Sequence, residues 1–534
     1  MMGKMLAKIA MLNEIGIALS SEKNNDRVIE LILNGAKELT NADGGSLYRV
    51  TENNELQFEI VSTDSLGINM GGTSSNEIKF PPLPLYVDGK KNLSMVVTNA
   101  VLHGQTINIA DVYHAEGFDF SGTRKFDAQT GYRTQSILTI PMKNHEGNII
   151  GVLQLINALD AKTGEVKVFS SEDQQLSESL ASQAAVALTN KKLIDEQRAL
   201  FEAFIKLIAT AIDEKSPYTA GHCKRLPELA ILIANACESE QQGCLKDFSL
   251  TDKDSYELMI AGWLHDCGKV TTPEYVIDKS TKLETIYDRI NLVDTRFELL
   301  MRDAKIDYLE HKITEEEYNK TIQQLSDDRE FIRISNTGGE YMSADRQQRV
   351  RDISKICWRD SKGKDTQLLS DDEVYNLTIA KGTLTPEERK IINNHISVTI
   401  KMLKNLPFPK HLANVPEYAG GHHERMDGKG YPLGLTRSQM SIQARILGLA
   451  DIFEALTATD RPYKNGKSLS ECLFILGKMK QDHHIDPDIF NVFINEKVYL
   501  QYAEKFLSEE QIDQVDHSKI PGYKNGTRSV EKCK

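Results

Sequence analysis

The sequence predicts a multidomain chain in which an α+β domain with an antiparallel sheet is joined by a long helix to an all-α helical region. Three observations support this fold class. Up to about residue 190, apolar residues at helical spacing alternate with short apolar runs between polar turns. Residues 170–216 contain neither Gly nor Pro, and the chain beyond about residue 201 has a mostly helical pattern. A length of 534 residues also favours two or three domains over one.

The α+β domain is predicted over residues 10–190. The segment NNDRVIELILNGAKEL has the apolar spacing of a helix, and GGSLYRV and LQFEIV have the composition of strands. SILTIPM and IIGVLQLINA flank the turn-rich segment KNHEGN, so we expect a β-hairpin there. Helices and antiparallel strands in this order are typical of one α+β domain.

A connecting helix is predicted over residues 176–216. Its apolar residues recur at spacings close to three and four, as in the seam of a coiled coil. They are Leu193, Leu200, Phe204, Leu207 and Ala211. We expect this helix to form a homodimer and to pass strain between the two parts of the chain. The alternative is a helix that packs on its own domain.

Composition and charge exclude several classes of partner. The net charge of -13 argues against a broad surface for duplex nucleic acid or for an anionic membrane. No uncharged apolar run approaches the length of a membrane span, and Lys8 and Glu14 give the N-terminus the pattern of an amphipathic helix. The seven cysteines are scattered without a CxxC pair, which is typical of reduced thiols in a cytoplasmic protein. A small phosphate-bearing substrate remains compatible, because a bound metal can invert the local field.

The helical region is predicted over residues 201–495. It contains a highly charged, helix-like insertion at 283–381. A polar segment follows at 496–534, and its end, from His517, is expected to fray.

Histidine and aspartate residues recur at inward-facing positions of the helical region. His265 and Asp266 follow an apolar helix that Gly268 is expected to stop. A carboxylate so close to an apolar face is costly unless it is paired or coordinated. The other residues of this kind either are in phase with apolar neighbours on predicted helices or form an adjacent pair: His222, His395, His422, His423 and Asp451.

Each of these residues alone has a simpler explanation. A single inward histidine is more often a satisfied core residue than a ligand, and Asp451 alone could accept a hydrogen bond in helix packing. Five histidines and two aspartates together need compensation that apolar neighbours do not provide. Imidazole with carboxylate suits iron, manganese or zinc, and seven ligands exceed the usual protein set of one metal. We therefore expect two divalent metal ions bridged by a carboxylate.

Two motifs carry a resemblance to a known family. H-D-x-G-K at 265–269, followed by H-H-E-R-x-D-G-x-G-Y-P at 422–432, resembles the HD-GYP family of the HD phosphohydrolase superfamily. The resemblance covers about residues 200–280 and 380–495, and includes Tyr218 to His222, His395, Asp451 and Arg461 to Tyr463. It implies an all-α bundle with a two- or three-metal centre, in which iron or manganese is the expected metal.

The resemblance implies a role for each motif residue. Asp266 would bridge the two metals and Lys269 would contact the scissile phosphate, so both are predicted catalytic residues. One metal would be held by His222, His265 and Asp451, and the other by His395, His422 and His423. Further substrate contacts are expected from Gly430, Tyr431, Pro432 and Arg445, with a surface charge as an equal alternative for Arg445. Gly428, Gly430 and Pro432 would shape the tight loop that names the family.

Two departures from the family pattern affect these expectations. Three-metal members carry a Glu one turn before the first histidine, and Tyr218 stands at that position, so two metals are expected. The insertion at 283–381 lengthens a connection that is usually short. It could be a solvated helical hairpin without a catalytic part, or a lid or dimer contact.

The resemblance implies hydrolysis of cyclic di-GMP to linear pGpG and onward to GMP. The metals would lower the pKa of a water, and the resulting hydroxide would attack phosphorus in line while the ribose 3'-oxygen leaves. Cyclic GMP-AMP is an alternative substrate. A catalytically silent module that senses a nucleotide or binds a partner is a second alternative, and an HD hydrolase of nucleoside phosphates is a third.

The first domain resembles a GAF domain over about residues 10–190, chiefly through the segment 125–158. GAF domains with cyclic-nucleotide pockets often carry an Asn-Lys…Phe-x-x-x-Asp-Glu signature. The corresponding residues here are Asn157, Lys162, Phe169 and Asp173, with Gln174 in place of Glu. A pocket for a small molecule or cyclic nucleotide is conceivable, and its lining would be Phe126, Asp127, Tyr132, Thr134 and Ser136. The alternative is that these residues only pack strands and loops.

Overall fold

The computed structural model describes residues 2–215, 221–241, 243–339, 341–459 and 466–524. The chain divides into two compact units, residues 1–200 and 201–534. The predicted succession of an α+β part, a long helix and a largely helical part is confirmed. None of the helices among the described residues has both the length and the apolar character that a membrane span requires.

The first unit is built around an antiparallel sheet. In chain order its elements are α1 (Met2–Ser21), α2 (Asn25–Thr40), β1 (Ala42–Val50), β2 (Glu55–Thr63), β3 (Ile68–Gly71), β4 (Leu83–Pro84), β5 (Tyr86–Val87), β6 (Lys90–Lys91), α3 (Val96–His103), β7 (Ile107–Ile109), α4 (Ser121–Thr130), β8 (Ile137–Lys143), β9 (Ile149–Leu159) and β10 (Val166–Lys167). The main path through the sheet is β3-β2-β1-β9-β8-β7, and the predicted hairpin is β8–β9.

The core of this unit lies between the sheet and the helices on one face. Ile32 and Leu33 of α2 pack with Leu47 of β1 and Leu153 of β9, and all four are buried. Leu47 and Leu153 face each other across neighbouring strands, so the strand register places both on the helix side. The N-cap of α2 is Asn24, whose side chain accepts from two backbone amides of the first turn.

The connecting helix α5 runs from Ser171 to Asp213 and therefore crosses the boundary between the units. It begins five residues before the predicted start at residue 176 and ends three residues before the predicted end at residue 216. Leu193, Leu200 and Leu207 are 49%, 58% and 63% exposed. The homodimer that this apolar stripe suggested stays a prediction.

The second unit is largely helical. Its elements are α6 (His222–Glu238), α7 (Asp252–Leu264), α8 (Glu274–Ile277), α9 (Ile290–Leu309), α10 (Glu315–Asn336), α11 (Ala344–Ser354), β11 (Cys357–Arg359), β12 (Asp365–Gln367), α12 (Asp371–Leu377), α13 (Pro386–Lys404), α14 (Val415–Gly420), α15 (Ile442–Thr457), α16 (Leu469–Gln481), α17 (Pro487–Asn495) and α18 (Val498–Phe506). Buried residues of α6, α7, α15 and α17 form its core, for example Ile233, Ile260, Phe453 and Phe493.

The insertion at 283–381 differs from a solvated hairpin. Helices α9 and α10 pair, but Phe297, Ile332, Val350 and Leu369 form a separate buried core with α11 and the segment before α12. A two-stranded antiparallel sheet, β11–β12, is also present, which the helical pattern did not predict.

Two further expectations need correction. Ile520 and Tyr523 are buried against the helical core, so the described part of the tail after His517 is packed rather than frayed. Their apolar side chains explain the difference, because each finds a core surface to cover. Cys244 is disulfide-bonded, whereas five other described cysteines are free, so the expectation of reduced thiols is not met at Cys244.

Candidate metal centre

The predicted ligands lie on five separate elements of the second unit. His222 is the first residue of α6, and His265 and Asp266 directly follow the last residue of α7. His395 lies in the middle of α13, which begins after the N-cap Thr385. His422 and His423 follow α14, and Asp451 lies in α15. The folded chain brings these elements together, so all seven predicted ligands surround one place.

The first group of ligands consists of His222, His265 and Asp266, whose ligand atoms lie within 4.8 Å of one another. The Nε2 atoms of the two histidines are 3.1 Å apart, and Asp266 Oδ2 is 3.0 Å from His265 Nε2. Asp451 Oδ1 lies 3.3 Å from His222 Nε2, as expected for a fourth member of this group.

The second group consists of His395, His422 and His423, whose ligand atoms also lie within 4.8 Å of one another. Asp266 reaches this group through its other oxygen, because Oδ1 lies 3.2 Å from His395 Nε2. One carboxylate therefore lies between both groups, which is the geometry that a bridging ligand requires.

The ring orientation of three histidines is set by the backbone. The Nδ1 atoms of His265, His395 and His422 each lie 2.5–2.8 Å from the carbonyl oxygen of the residue three positions earlier. A carbonyl can only accept, so Nδ1 must carry the proton and Nε2 presents a lone pair. This arrangement aims three imidazole lone pairs at the same place.

Three atoms of the centre are buried without hydrogen-bond partners among the described residues: Asp266 Oδ1, His395 Nε2 and His422 Nε2. The first two are 3.2 Å apart but are not aligned as a hydrogen bond. A buried polar atom without a partner is costly, and a bound cation would satisfy all three. The imidazole and carboxylate donors present here therefore fit divalent transition metals.

A buried carboxylate that the sequence analysis missed contacts the Nδ1 atom of His222. Glu454 Oε2 lies 2.5 Å from His222 Nδ1, and Glu454 Oε1 accepts from Arg225 Nε at 2.7 Å. Glu454 follows Asp451 by three residues on α15, so both carboxylates lie on one helix face. That spacing was the available signal for Glu454, whereas no local pattern pointed to Arg225.

The histidines differ in their protonation. Burial opposes the charge of His222, but the neighbouring carboxylates of Glu454 and Asp451 raise its pKa to about 10. Burial lowers the pKa of His423 to about 4, and burial with neighbouring histidines lowers the pKa of His422 well below its ordinary value. At neutral pH His422 and His423 are therefore neutral and can bind a metal, while His222 holds a proton that a metal must displace.

A cavity of about 290 Å³ opens onto the centre. The ammonium of Lys269 lines it and lies 2.6 Å from Asp266 Oδ2. Burial works against the charge of Lys269, but Asp266 outweighs it and raises the pKa of Lys269. Arg225 and Asn393 also line the cavity. A phosphate in this cavity would meet a positive charge beside the metal ligands.

The glycine-rich loop forms one wall of the cavity. Tyr431 lines it and stacks on His423, with ring centroids 4.8 Å apart. The Tyr431–Pro432 peptide bond is cis. A Cβ atom on Gly430 would lie 2.4 Å from the Cα atom of Glu424, so the close approach of the two backbones requires glycine.

Glu424 holds this loop in place, a role that the sequence analysis did not assign. Its side chain is buried, and its two carboxylate oxygens accept from the backbone amides of Leu433 and Leu435. Gly428 has a φ of 75°, which glycine adopts without strain.

Arg445 forms an ion pair within the helical unit. Its guanidinium lies 2.5 Å from Asp486 Oδ2 and donates to the carbonyl of Ser441, and Arg445 is absent from the described lining of the cavity. Asp486 caps α17, and Arg437 binds the same carboxylate. The predicted substrate contact of Arg445 stays a prediction, whereas the alternative of a surface charge does not fit, because the Arg445 side chain is paired and only 12% exposed.

Two segments that contributed to the resemblance lie outside the described residues. They are Tyr218 to Ala220, before the first histidine, and Arg461 to Tyr463, after α15.

The polar residues of the predicted ligand pocket in the first unit form hydrogen bonds within that unit. Asp127 accepts from the Tyr113 hydroxyl and from the amide and hydroxyl of Thr134 at 2.8–2.9 Å. The Tyr132 hydroxyl donates to Asp43 at 2.6 Å, and the Ser136 hydroxyl donates to a backbone carbonyl. Phe126 is half-buried on α4. A small-molecule ligand for this domain stays a prediction.

Three motif residues of the first unit also have structural contacts. Asn157 Oδ1 accepts from the amides of Gln135 and Ser136, and Phe169 is buried in the core. Asp173, at the start of α5, pairs with Lys8 of α1 at 2.9 Å. Asp173 is thus held by a residue of the N-terminal helix.

Comparison with known families and proteins agrees with the two-part organisation. The model of the GAF domain matches residues 24–188, and the model of the HD domain matches residues 371–489. The second match contains His395, His422, His423 and Asp451, while the first three ligands precede it.

The chain is similar to several phosphodiesterases. A probable cyclic di-GMP phosphodiesterase of Vibrio cholerae is 36% identical over 146 residues, which are 25% of this chain and 32% of the relative. A 3'3'-cGAMP-specific phosphodiesterase 1 of Vibrio cholerae is 41% identical over 90 residues, or 17% and 21% of the two chains. A cyclic di-GMP phosphodiesterase of Thermotoga maritima is 40% identical over 95 residues, or 18% and 25%.

The chain thus spans about a third or less of the length of each of these relatives. The two family matches show that the chain carries a GAF domain followed by an HD domain, as its motifs predicted.

Proposed function

We propose that this chain is a metal-dependent phosphodiesterase that hydrolyses a cyclic dinucleotide, with cyclic di-GMP as the first candidate and linear pGpG and then GMP as products. The observation that carries the proposal is the pair of ligand groups joined by Asp266, with Lys269 beside them on an open cavity. Relatives whose names give cyclic dinucleotides as substrates support the choice of substrate.

The proposed cofactor is a pair of divalent metal ions, iron or manganese. His222, His265 and Asp451 would hold one ion, and His395, His422 and His423 the other, with Asp266 shared. When bound, the ions would supply an activated water and neutralise charge on the phosphate.

The protein's own residues would orient the substrate and stabilise the developing charge. Lys269 would donate to a phosphoryl oxygen, since its ammonium lies on the cavity and is held by Asp266. Tyr431 presents a ring at the cavity wall, held against His423, and would bound the space for the nucleotide. Gly430 and Pro432 set the path of the loop that carries it.

The GAF domain is proposed as the regulatory part, with a small molecule or cyclic nucleotide as its signal. A homodimer through the exposed apolar stripe of α5 would place two chains in register. A cytoplasmic location would give the enzyme access to a second messenger.

Cyclic GMP-AMP is a second candidate substrate, because one similar protein is named as specific for it. The deciding experiment is an assay of purified chain loaded anaerobically with Fe(II) or Mn(II), given each dinucleotide in turn, with metal counted in the same sample. We expect turnover with about two ions per chain. Two ions without hydrolysis of either dinucleotide would reject the proposed substrates, and no metal would favour a nucleotide-sensing module without catalysis.

A further inference from the structure

A lysine just beyond the end of the connecting helix contacts the turn that carries Lys269. Lys215 lies two residues beyond the end of α5, and its amide donates to the carbonyl of Ile212 in the last helical turn. Its side-chain ammonium lies 3.2 Å, 2.6 Å and 2.7 Å from the carbonyl oxygens of Lys269, Val270 and Thr272.

These three contacts use the full donor capacity of an ammonium group. The acceptors are consecutive or nearly consecutive backbone carbonyls of a single short turn, Cys267–Thr271 with Thr272 as its cap. The Lys269 carbonyl also accepts from the Thr272 amide within the turn. The carbonyls of Val270 and Thr272 lie at the end of the turn, where a cation can satisfy them and complement their dipoles.

The same turn also contacts α13. The Gly268 amide donates to Thr399 Oγ1 at 2.9 Å, and a Cβ atom on Gly268 would lie only 2.0 Å from the carbonyl oxygen of His395. One flank of the turn is therefore fixed against the metal-binding helix. The carbonyls of Lys269, Val270 and Thr272 accept from Lys215.

We infer that Lys215 is a positioning residue for the phosphodiesterase site, which it serves by holding the turn that aims Lys269 at the substrate phosphate. The inference rests on the proposed function. It also gives the end of α5 a direct mechanical connection to the site, because a shift of Lys215 pulls on the carbonyl of Lys269 itself.

A second residue of the same helix end strengthens this connection. Asp213, the last residue of α5, accepts from the amide of Cys223 at 3.3 Å, next to His222. The end of the helix thus binds the backbone beside both Lys269 and the first metal ligand. The end of α5 is therefore hydrogen-bonded to the carbonyl of Lys269 and to the amide of the residue that follows His222.

The test uses the full chain loaded with metal and compares wild type with Lys215→Met, which keeps the aliphatic stem and removes the donors. We expect kcat/KM for the cyclic dinucleotide to fall about tenfold, as small displacements of a catalytic group do. Lys215→Arg should recover most of the loss. Lys192→Met is the matched control, because Lys192 lies on the same helix, is exposed and pairs only with Glu196 among the described residues; it should behave as wild type.

A double-mutant cycle separates positioning from general destabilisation. If Lys215 acts through Lys269, Lys215→Met should have no further effect on kcat/KM in a Lys269→Met background. An equal loss in both backgrounds would overturn the inference, and so would wild-type kcat/KM in Lys215→Met. If Lys215→Met lowers the melting temperature, Lys215→Gln takes its place in the cycle.

Hydrogen exchange decides the structural part without any activity. Lys215→Met should speed exchange of the Lys269 and Thr272 amides, which bond within the turn, and leave α7 unchanged. Unchanged exchange in the turn would overturn the inference. If wild type hydrolyses no cyclic dinucleotide, the proposed function fails, and faster exchange would still show that Lys215 holds the turn.

Discussion

Two aspartates of this chain are buried to the same extent, and they have different surroundings. Asp127 in the GAF domain and Asp266 in the helical unit are each 3% exposed. Both oxygens of Asp127 accept hydrogen bonds, from Tyr113 and from Thr134. Asp266 Oδ1 has no hydrogen-bond partner among the described residues and faces His395.

Burial of a polar residue therefore does not by itself identify a metal site. In the GAF domain the donors of Tyr113 and Thr134 satisfy both oxygens of Asp127. In the helical unit the imidazole lone pairs and the carboxylate oxygens point at one another, so a cation is needed to complete them. Burial opposes the ionised form of Asp266, but His265 and Lys269 outweigh it and hold its pKa well below the usual range.

The largest effects are expected when the two carboxylates, Asp266 and Asp127, are removed in turn. Asp266→Ala should abolish both metal loading and turnover, because the shared ligand of both groups is lost. Asp127→Ala should keep metal content and turnover and lower the unfolding free energy by about 1–3 kcal/mol, the cost of leaving buried donors unpaired. Metal analysis, a dinucleotide assay and thermal unfolding on both variants measure these effects. Full activity of Asp266→Ala would refute the dinuclear mechanism.

A smaller effect is expected at the second carboxylate behind the centre. Glu454→Gln should weaken the metal affinity, after correction for the proton that His222 releases, about 10- to 100-fold, as loss of a carboxylate that hydrogen-bonds a ligating histidine does. The physical reason is that Glu454 orients His222 and is itself held by Arg225. Competition with a chelator measures the change.

Glu257→Gln provides the control for that experiment. Glu257 is also buried, and it accepts from the amide and side chain of Asn414 rather than from a ligand. Its variant should lose stability but keep metal affinity. Equal loss of metal affinity in both variants would mean that Glu454 acts only through folding.

The convergence of the seven side chains was predictable because the signals for it are local. His265 with Asp266 and His422 with His423 are adjacent pairs, and the other ligands are in phase with apolar residues on their own helices. The β8–β9 hairpin was predictable for the same reason, since its turn and strands are contiguous in the chain.

What escaped prediction depends on contacts between distant segments. Arg445 lies on the same helix as Asp451, and only the fold reveals that Asp486 of the α17 cap takes its charge. Arg225 and Glu454 meet across α6 and α15 in the same way. The separate core of the insertion and the packing of Tyr523 likewise need the tertiary structure.

The smallest predicted effect is the number of protons released when a metal binds, which should differ between His222 and His423. Because its pKa is raised to about 10, His222 is protonated at pH 7 in the metal-free centre, whereas His423, with a pKa of about 4, is neutral. A metal binds only neutral imidazole, so metal binding at His222 should release about one proton, whereas binding at His423 should release none. The apparent affinity of the first group should therefore rise about tenfold per pH unit from neutral pH towards pH 10 and level off above it.

Titration calorimetry with Mn(II) in two buffers of different ionisation enthalpy counts the protons released at pH 7. Glu454→Gln isolates the contribution of His222, since Glu454 is the strongest charge that raises its pKa. The variant should release fewer protons than wild type. Equal release in both proteins would mean that the proton comes from another group, such as the activated water, and that the two ligand groups do not differ in the way their carboxylates predict.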